Sequence, residues 1–180
     1  QKVLRMLPIQ NEVAWSALVA GYAEMDRAQE ALEGFEEMQS KGFSPNAITF
    51  LGILKACGSQ GSIKKGEQIH GLIVGANDGL LLKDTVLGTA LVDMYVKCGA
   101  LSKARKVLQT LSIRSTVSWN ALIAGYAQQG QGHEALASFR LMRREGYCPD
   151  VVTLTCILKG CGSIEDTAKG KEIHSEIVDR

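Results

Sequence analysis

Residues 13–46 read VAWSALVAGYAEMDRAQEALEGFEEMQSKGFSPN, and residues 117–150 read VSWNALIAGYAQQGQGHEALASFRLMRREGYCPD. Superposed, they pair Trp15 with Trp119, Tyr22 with Tyr126, Phe35 with Phe139, Met38 with Met142 and Pro45 with Pro149, every pair 104 positions apart. The same lag carries on to Cys57 and Cys161, and to His70 and His174. A constant lag across such unlike residues marks a tandem array, whose units bury their cores against their neighbours rather than alone.

Inside the lag, helical periodicity is clear. Trp15, Leu18, Val19 and Tyr22 form one apolar stripe of an amphipathic helix, and Ala28, Ala31, Leu32, Phe35 and Met38 form a second. Gly42 offers a left-handed C-cap and Pro45 stops further helix. Ala17, Ala20 and Gly21 are small enough to let the two helices of this hairpin approach closely. Trp119, Leu122, Ile123, Tyr126, Ala135, Leu136, Phe139, Met142, Gly146 and Pro149 rebuild the same hairpin.

These stops divide the chain. Residues 12–46 and 116–150 are each 35 long, 47–84 is 38 long with a loop-like insertion near Gly75–Gly79, and 85–115 is 31 long. Residues 1–11 match 105–115 and are expected to be the tail of a preceding unit, while 151–180 are expected to be an incomplete copy of the 38-residue unit. The chain is thus expected to be a slice of a longer array.

Composition excludes several classes. A 46% hydrophobic and 22% charged chain is a folded protein rather than a disordered one. No apolar run approaches the roughly 18 residues that span a bilayer, so no membrane insertion is expected. A formal charge of +1 rules out a polycationic sleeve, and any polyanion would have to be held by local placement of lysine and arginine. The five cysteines are odd in number and never spaced C-x-x-C, which fits reduced core residues in a reducing compartment.

At this point the residues carry a resemblance. The stretches at 13–46 and 117–150 resemble pentatricopeptide repeats of the P type, AITFLGILKACGSQGSIKKGEQIHGLIV at 47–74 resembles the L type, and VLGTALVDMYVKCGALSKARKVL at 86–108 resembles the S type. Read this way, residues 1–11 end an S repeat, 12–46 is P, 47–84 L, 85–115 S, 116–150 P, and 151–180 begins an L. The resemblance implies an all-α fold, an α-solenoid of tandem helix-turn-helix repeats wound as a right-handed superhelix. It also implies a sequence-specific, single-stranded RNA-binding module of mitochondria or chloroplasts, most often serving C-to-U RNA editing or RNA processing. The partners it implies are organellar RNA and editing-complex proteins or a deaminase domain, in cis or in trans. No cofactor is implied.

Such repeats read about one base per unit with a few side chains. Carried over from the family, the base clamp is the second position of each unit: Val13, Ile48, Val86, Val117 and Val152. All are β-branched and stiff, as a fixed wedge between bases should be. The base-reading positions are the fifth and last. Ser16 with Asn46 favours adenine in the family, Asn120 with Asp150 favours uracil, and Thr89 with Ser115 leans to purine although serine departs from the usual Asn or Asp. Leu51 with Asp84 cannot read, because leucine makes no hydrogen bond, and Thr155 begins a pair whose partner is absent. The implied register is 5′-A-N-(A/G)-U-3′.

Phosphate contacts look thin. Of the position-13 lysines the family often uses, Lys97 alone is present, with Glu24 and Gln128 in the P units. The clusters Lys64-Lys65, Lys103-Arg105-Lys106 and Arg140-Arg143-Arg144 fall on second helices and read as a solvated outer face. RNA affinity is therefore expected to be modest and salt-sensitive, micromolar or weaker, on the order of −8 kcal/mol at best.

Several motifs imitate chemistry without completing it. His174-Ser175-Glu176 spells the H-x-E of zinc deaminases, but no P-C-x-x-C follows and His70 holds the matching slot. Gly61 to Gly66 approaches a phosphate loop with Glu67 where the lysine belongs. Gly130-Gln131-Gly132 reads as a turn between helices, and Cys156 and Cys161 lie in one helical segment without a second ligand pair. No catalytic or metal set survives, so the chain itself is not expected to be an enzyme. A second reading stays open: a protein-binding or scaffold solenoid of a large organellar assembly, since Trp15, Leu18, Tyr22, Ala31, Phe35 and Pro45 also nearly satisfy the tetratricopeptide pattern.

Overall fold

The computed structural model describes residues 11–75 and 84–178. The tail expected at 1–11, Asn11 apart, and most of the insertion expected at Gly75–Gly79 lie outside them. Ten helices occur among the described residues: α1 (Glu12–Glu24), α2 (Ala28–Ser40), α3 (Ala47–Gln60), α4 (Ile63–Gly75), α5 (Thr85–Lys97), α6 (Leu101–Thr110), α7 (Thr116–Gln128), α8 (Gly132–Arg144), α9 (Val151–Ser163) and α10 (Thr167–Val178).

The odd-numbered helices begin with a side-chain cap. Asn11, Asn46, Asp84, Ser115 and Asp150 sit in extended backbone, and each side-chain oxygen accepts from an N–H in the first helical turn. A cap of this kind contributes about 1 kcal/mol. Three even-numbered helices start differently, whereas α10 is capped by Asp166, which accepts the Lys169 N–H at 2.9 Å. Arg27, Ala100 and Gln131 precede α2, α6 and α8 with no side-chain cap bond, and the entry is set instead by a left-handed residue in the turn. Those residues are Asp26, Gly99 and Gly130, and Gly61 and Glu165 hold the same place before α4 and α10. At the far end of α2 and α8, Gly42 (φ +78°) and Gly146 (φ +85°) take the left-handed cap expected of them. Behind them Phe43 N–H donates to Met38 O and Tyr147 N–H to Met142 O, both at 3.1 Å.

Each hairpin packs on the next in two layers. Successive odd helices α1, α3, α5, α7 and α9 lie against one another, and α2, α4, α6 and α8 are each wedged between their own partner and the following odd helix. One continuous core runs through the stack, from Val19 and Phe35 through Ile53, Leu91, Leu108 and Ile123 to Phe139 and Ile157. The stripe of α2 is buried as its periodicity demands, with Ala31 and Met38 fully enclosed. This is an all-α solenoid.

The small residues of α1 do other work than the sequence suggested. Ala20 faces not α2 but Gly52 of α3, where a Cβ on Gly52 would stand 3.1 Å from Ala20 Cα, and Ala17 is exposed. Gly125, the counterpart of Gly21, faces backward, its missing Cβ 2.6 Å from Val96 Cγ1 and 2.9 Å from Leu101 Cδ2. Close approach within the first hairpin falls to Gly34, beside Val19 and Leu18. The small face of an odd helix thus serves contacts between hairpins, because the odd helices are stacked directly on one another.

Cys57 and Cys161 are core residues, and all five cysteines are free thiols. Burial pushes the Cys57 thiol up to about 11, aided by the nearby Cys98, so it stays a neutral hydrophobe. The indole N–H groups of Trp15 and Trp119 are buried without a hydrogen-bond partner among the described residues. Trp119 meets Tyr147 at a tilt of 51° with centroids 6.4 Å apart, and the Lys41 ammonium sits 4.8 Å above the Trp15 ring.

Candidate functional site

The odd-helix layer exposes apolar side chains that a core would normally claim. Val13, Ile48, Val86, Val117 and Val152 occupy the same position after each cap and are 55% to 72% exposed. Burying a valine stabilises a fold by roughly 1.5–3 kcal/mol, so five exposed at one register position are a surface feature rather than a core left open. Between them the surface is recessed. A groove of about 570 Å³ is lined by Leu51, Val86, Thr89, Ala90, Ser115 and Val117 among others, and its wall is almost wholly apolar. A second recess of about 390 Å³ continues it past Ile48 and Leu51 toward Ala20, Glu24, Lys55 and Lys97.

At the junctions between hairpins the residues singled out by sequence meet. Asn120 Nδ2 donates to Asp150 Oδ1 and Oδ2 at 2.9 and 3.0 Å, although thirty residues separate them. Thr89 Oγ1 lies 3.5 Å from Ser115 Oγ. Ser16 and Asn46 are linked through a third residue: Ser16 Oγ is 2.8 Å from Thr49 Oγ1, which in turn lies 3.1 Å from Asn46 Oδ1. Leu51 is half-buried and reaches the groove, while Asp84 caps α5 through the Val86 and Leu87 N–H groups. Thr155 is exposed on α9.

Two features of these junctions were not read from sequence. Fifth-position hydroxyls spend their proton locally: Ser16 donates to Glu12 O, Thr89 to Thr85 O and Thr155 to Val151 O, each at 2.7 Å. A hydroxyl back-bonded to its own helix turns only lone pairs outward. The last-position residues, moreover, are helix caps. Asn46 with Thr49, Ser115 with Ser118 and Asp150 with Thr153 form reciprocal capping boxes. The spacing of cap, two residues, then Thr or Ser was the available signal.

Burial pushes the Asp150 carboxyl up, but the Thr153 N–H, the Asn120 amide and the Val152 N–H outweigh it. Its pKa therefore lies below the ordinary carboxylate value. Elsewhere along the groove charges are matched. Lys97, the sequence candidate for phosphate, is bound to Asp93 at 2.7 Å, and Lys55 to Glu24 at 2.8 Å. On the even helices Lys65 pairs with Glu36 and Lys103 with Glu67, while Lys64, Arg105, Lys106, Arg140 and Arg144 are exposed.

The imitative motifs resolve as structure. Gly61 is the left-handed turn residue, and a Cβ on Gly66 would strike Met94 Sδ at 2.4 Å, so that glycine is a helix-packing residue. His70 Nδ1 lies 2.9 Å from the Tyr95 hydroxyl, with burial lowering its pKa. Cys156 and Cys161 lie together on α9. No group of three or more potential metal ligands occurs among the described residues, and no helix there is long and apolar enough to cross a membrane.

Comparison with known proteins follows this geometry. The model of the PPR repeat family matches residues 10–59 and 114–163. A chloroplastic pentatricopeptide repeat-containing protein of Arabidopsis thaliana is 35% identical over 96% of this chain and 28% of its own length. A putative mitochondrial one from the same plant is 39% identical over 93% of this chain and 27% of its length. The chain thus spans little more than a quarter of these relatives. Among solved structures, the maize pentatricopeptide repeat protein PPR10 superposes with a TM-score of 0.81 at 24% identity, covering 99% of this chain and 26% of that one. PPR10 in complex with an 18-nt psaJ RNA element superposes at 0.76 and 23% identity, with the same coverage. At that identity the likeness shows the fold.

Proposed function

This chain belongs to the PPR repeat family, and from that premise we propose that it is a sequence-specific module for single-stranded RNA, part of an organellar editing or processing factor. The supporting observation is that Asn120 bonds the Asp150 cap of the next hairpin directly, with Thr89 3.5 Å from Ser115 and Ser16 reaching Asn46 through Thr49, flanked by exposed β-branched side chains. An apolar wall on each side holds a base by its faces, and a polar pair at the floor meets its edge. We assign residues 12–46, 47–84, 85–115 and 116–150 as P, L, S and P units, with 151–180 opening a further L unit. Mitochondrion or chloroplast is the proposed location, as the names of the two plant relatives suggest. Any deamination would be supplied by another domain or protein.

The donors and acceptors left over fit the proposed register. Ser16, its proton on Glu12 O, offers a lone pair, and Asn46 Nδ2 has no partner among the described residues. Acceptor beside donor complements the amino group and ring nitrogen of adenine. Thr89 and Ser115 repeat that arrangement with a hydroxyl as donor. At Asn120 the two Asp150 oxygens subtend a narrower angle than two amide protons spread, so a single N–H serves both. The other N–H and one lone pair of Oδ1 remain for an imide edge such as uracil. Leu51 offers no polar atom, so that unit spaces without reading.

The ion pairs at Lys97 and Lys55 favour the second reading, a protein-binding scaffold, because they leave the groove weakly attractive to phosphate. Titration of 5′-ANRU-3′ and scrambled RNAs at two salt concentrations separates the two. Replacing Asn120→Ser together with Asp150→Asn should move preference at the fourth base from U toward A. Binding indifferent to sequence at both salts would leave the scaffold reading standing.

A further inference from the structure

We infer that the hydroxyl at the third position of the following repeat, Thr153 behind Asn120 and Thr49 behind Ser16, is a positioning residue that fixes which atoms of each reading pair face the base. The inference rests on the base-reading function proposed above and adds to each fifth-and-last pair a third member, contributed by the next hairpin.

Thr153 Oγ1 lies 2.6 Å from Asn120 Oδ1 and 2.9 Å from Asp150 Oδ1. A hydroxyl has one proton to give. Asp150 Oδ1 already receives the Thr153 N–H at 2.8 Å and the Asn120 amide at 2.9 Å, so the shorter contact, to Asn120, takes the proton. The Asn120 amide is then held at both ends, nitrogen toward the carboxylate and oxygen toward Thr153. Turned over, it would set its oxygen against the ionised Asp150. Thr153 is fully buried and is itself tied to the cap, its Oγ1 accepting the Asp150 N–H at 3.1 Å. The amide therefore stands on a rigid helix terminus rather than on a free side chain, and its outward N–H and lone pair keep one direction.

Thr49 plays the same part at the first junction with a different outcome. Ser16 has committed its proton to Glu12 O, so Thr49, also fully buried, is the donor in the 2.8 Å contact between the hydroxyls. One of the two Ser16 lone pairs is thereby occupied, and a single one is left. At the third junction Ser118 turns its hydroxyl to Ser115 O instead, at 2.8 Å, and Thr89 is left on the long 3.5 Å contact with Ser115. At the second, Leu87 holds the equivalent place and no hydroxyl is available. The junctions thus grade from pinned to unpinned, and base discrimination should grade with them.

The test is the Thr153→Val variant of the intact protein, which keeps the shape and the backbone cap donor but loses the hydroxyl. Its affinities are measured for four short RNAs differing at the base facing residues 116–150, beside Thr153→Ser, Thr49→Val and the Asn120→Ser, Asp150→Asn double variant. Loss of one orienting hydrogen bond should lower the preference for U over C or A about fivefold. Thr153→Ser should restore it, and Thr49→Val should erode discrimination at the first base and not at the fourth. An equal loss of affinity for all four RNAs, or no loss, would overturn the positioning role while a working double swap left base reading intact. A double swap that moves no preference overturns both together. Thermal melts and helical circular dichroism of each variant, with Thr153→Ser as the folded reference, keep a fold defect from passing as lost discrimination.

Discussion

Hairpins α1–α2 and α7–α8 are built from nearly the same sequence pattern, yet their junctions with the next hairpin differ chemically. The first presents a serine hydroxyl and a neutral asparagine cap, bridged by Thr49. The second presents a carboxamide clamped on an anionic aspartate cap, bridged by Thr153. A hydroxyl one bond from its Cβ reaches back to its own helix carbonyl, whereas the longer Asn120 amide reaches across to the next helix. One atom more of side-chain length therefore changes the group from an acceptor into a donor–acceptor pair. The scaffold is held constant so that this difference can be expressed.

The comparison can be broken most severely through the shared core. Phe35 and Phe139 are both 1% exposed, so alanine at either should cost a similar amount, about 3–5 kcal/mol. Urea titration of the two variants checks this, and a large inequality would mean the hairpins are not energetic copies. A smaller loss should follow Gly132→Ala. Its added Cβ would stand 2.3 Å from Gly160 O, a backbone atom that cannot swing aside, and about 1–3 kcal/mol should be lost despite alanine's better helix propensity. In the first hairpin the matching pair is Ala28 and Ala56, so the reverse change Ala28→Gly should cost only about 1 kcal/mol.

Acid should separate the two junctions next. The Asp150 carboxyl has a folded pKa below its ordinary 3.8, so its contribution is complete above that value and is lost as pH falls through the folded one. Asn46 has no such dependence. Between about pH 5 and 2.5, thermal melts of the wild type should fall further than those of Asp150→Asn, and equal slopes would remove the ionised cap from the account. The smallest effect is expected at the turns. Asp26 (φ +58°) and Glu165 (φ +55°) stand where Gly130 and Gly61 stand in their counterparts. Asp26→Gly and Glu165→Gly should each raise stability by up to about 1 kcal/mol, readable as a rise in melting temperature.

Much of this was legible because it is local. Stripes such as Trp15 to Tyr22, the left-handed Gly42 and Gly146, and the turn at Gly130 follow from periodicity and backbone sterics within a few residues. The clamp and reading positions came from a resemblance, and the structure adds that the clamp side chains are exposed and that Asn120 meets Asp150 directly. What escaped was relational. Ala20 was assigned to the wrong neighbour because smallness does not say which helix it admits. Thr49 and Thr153 passed unnoticed because their partners Ser16 and Asn120 lie thirty-three residues away.

The chain itself settled its helices, its turns and its repeating unit, since hydrogen bonding and side-chain sterics act between residues close in sequence. Only the stacking of hairpins decided which lone pairs and N–H groups remain outward, because each junction is made by two hairpins and its free atoms are what their contact leaves over.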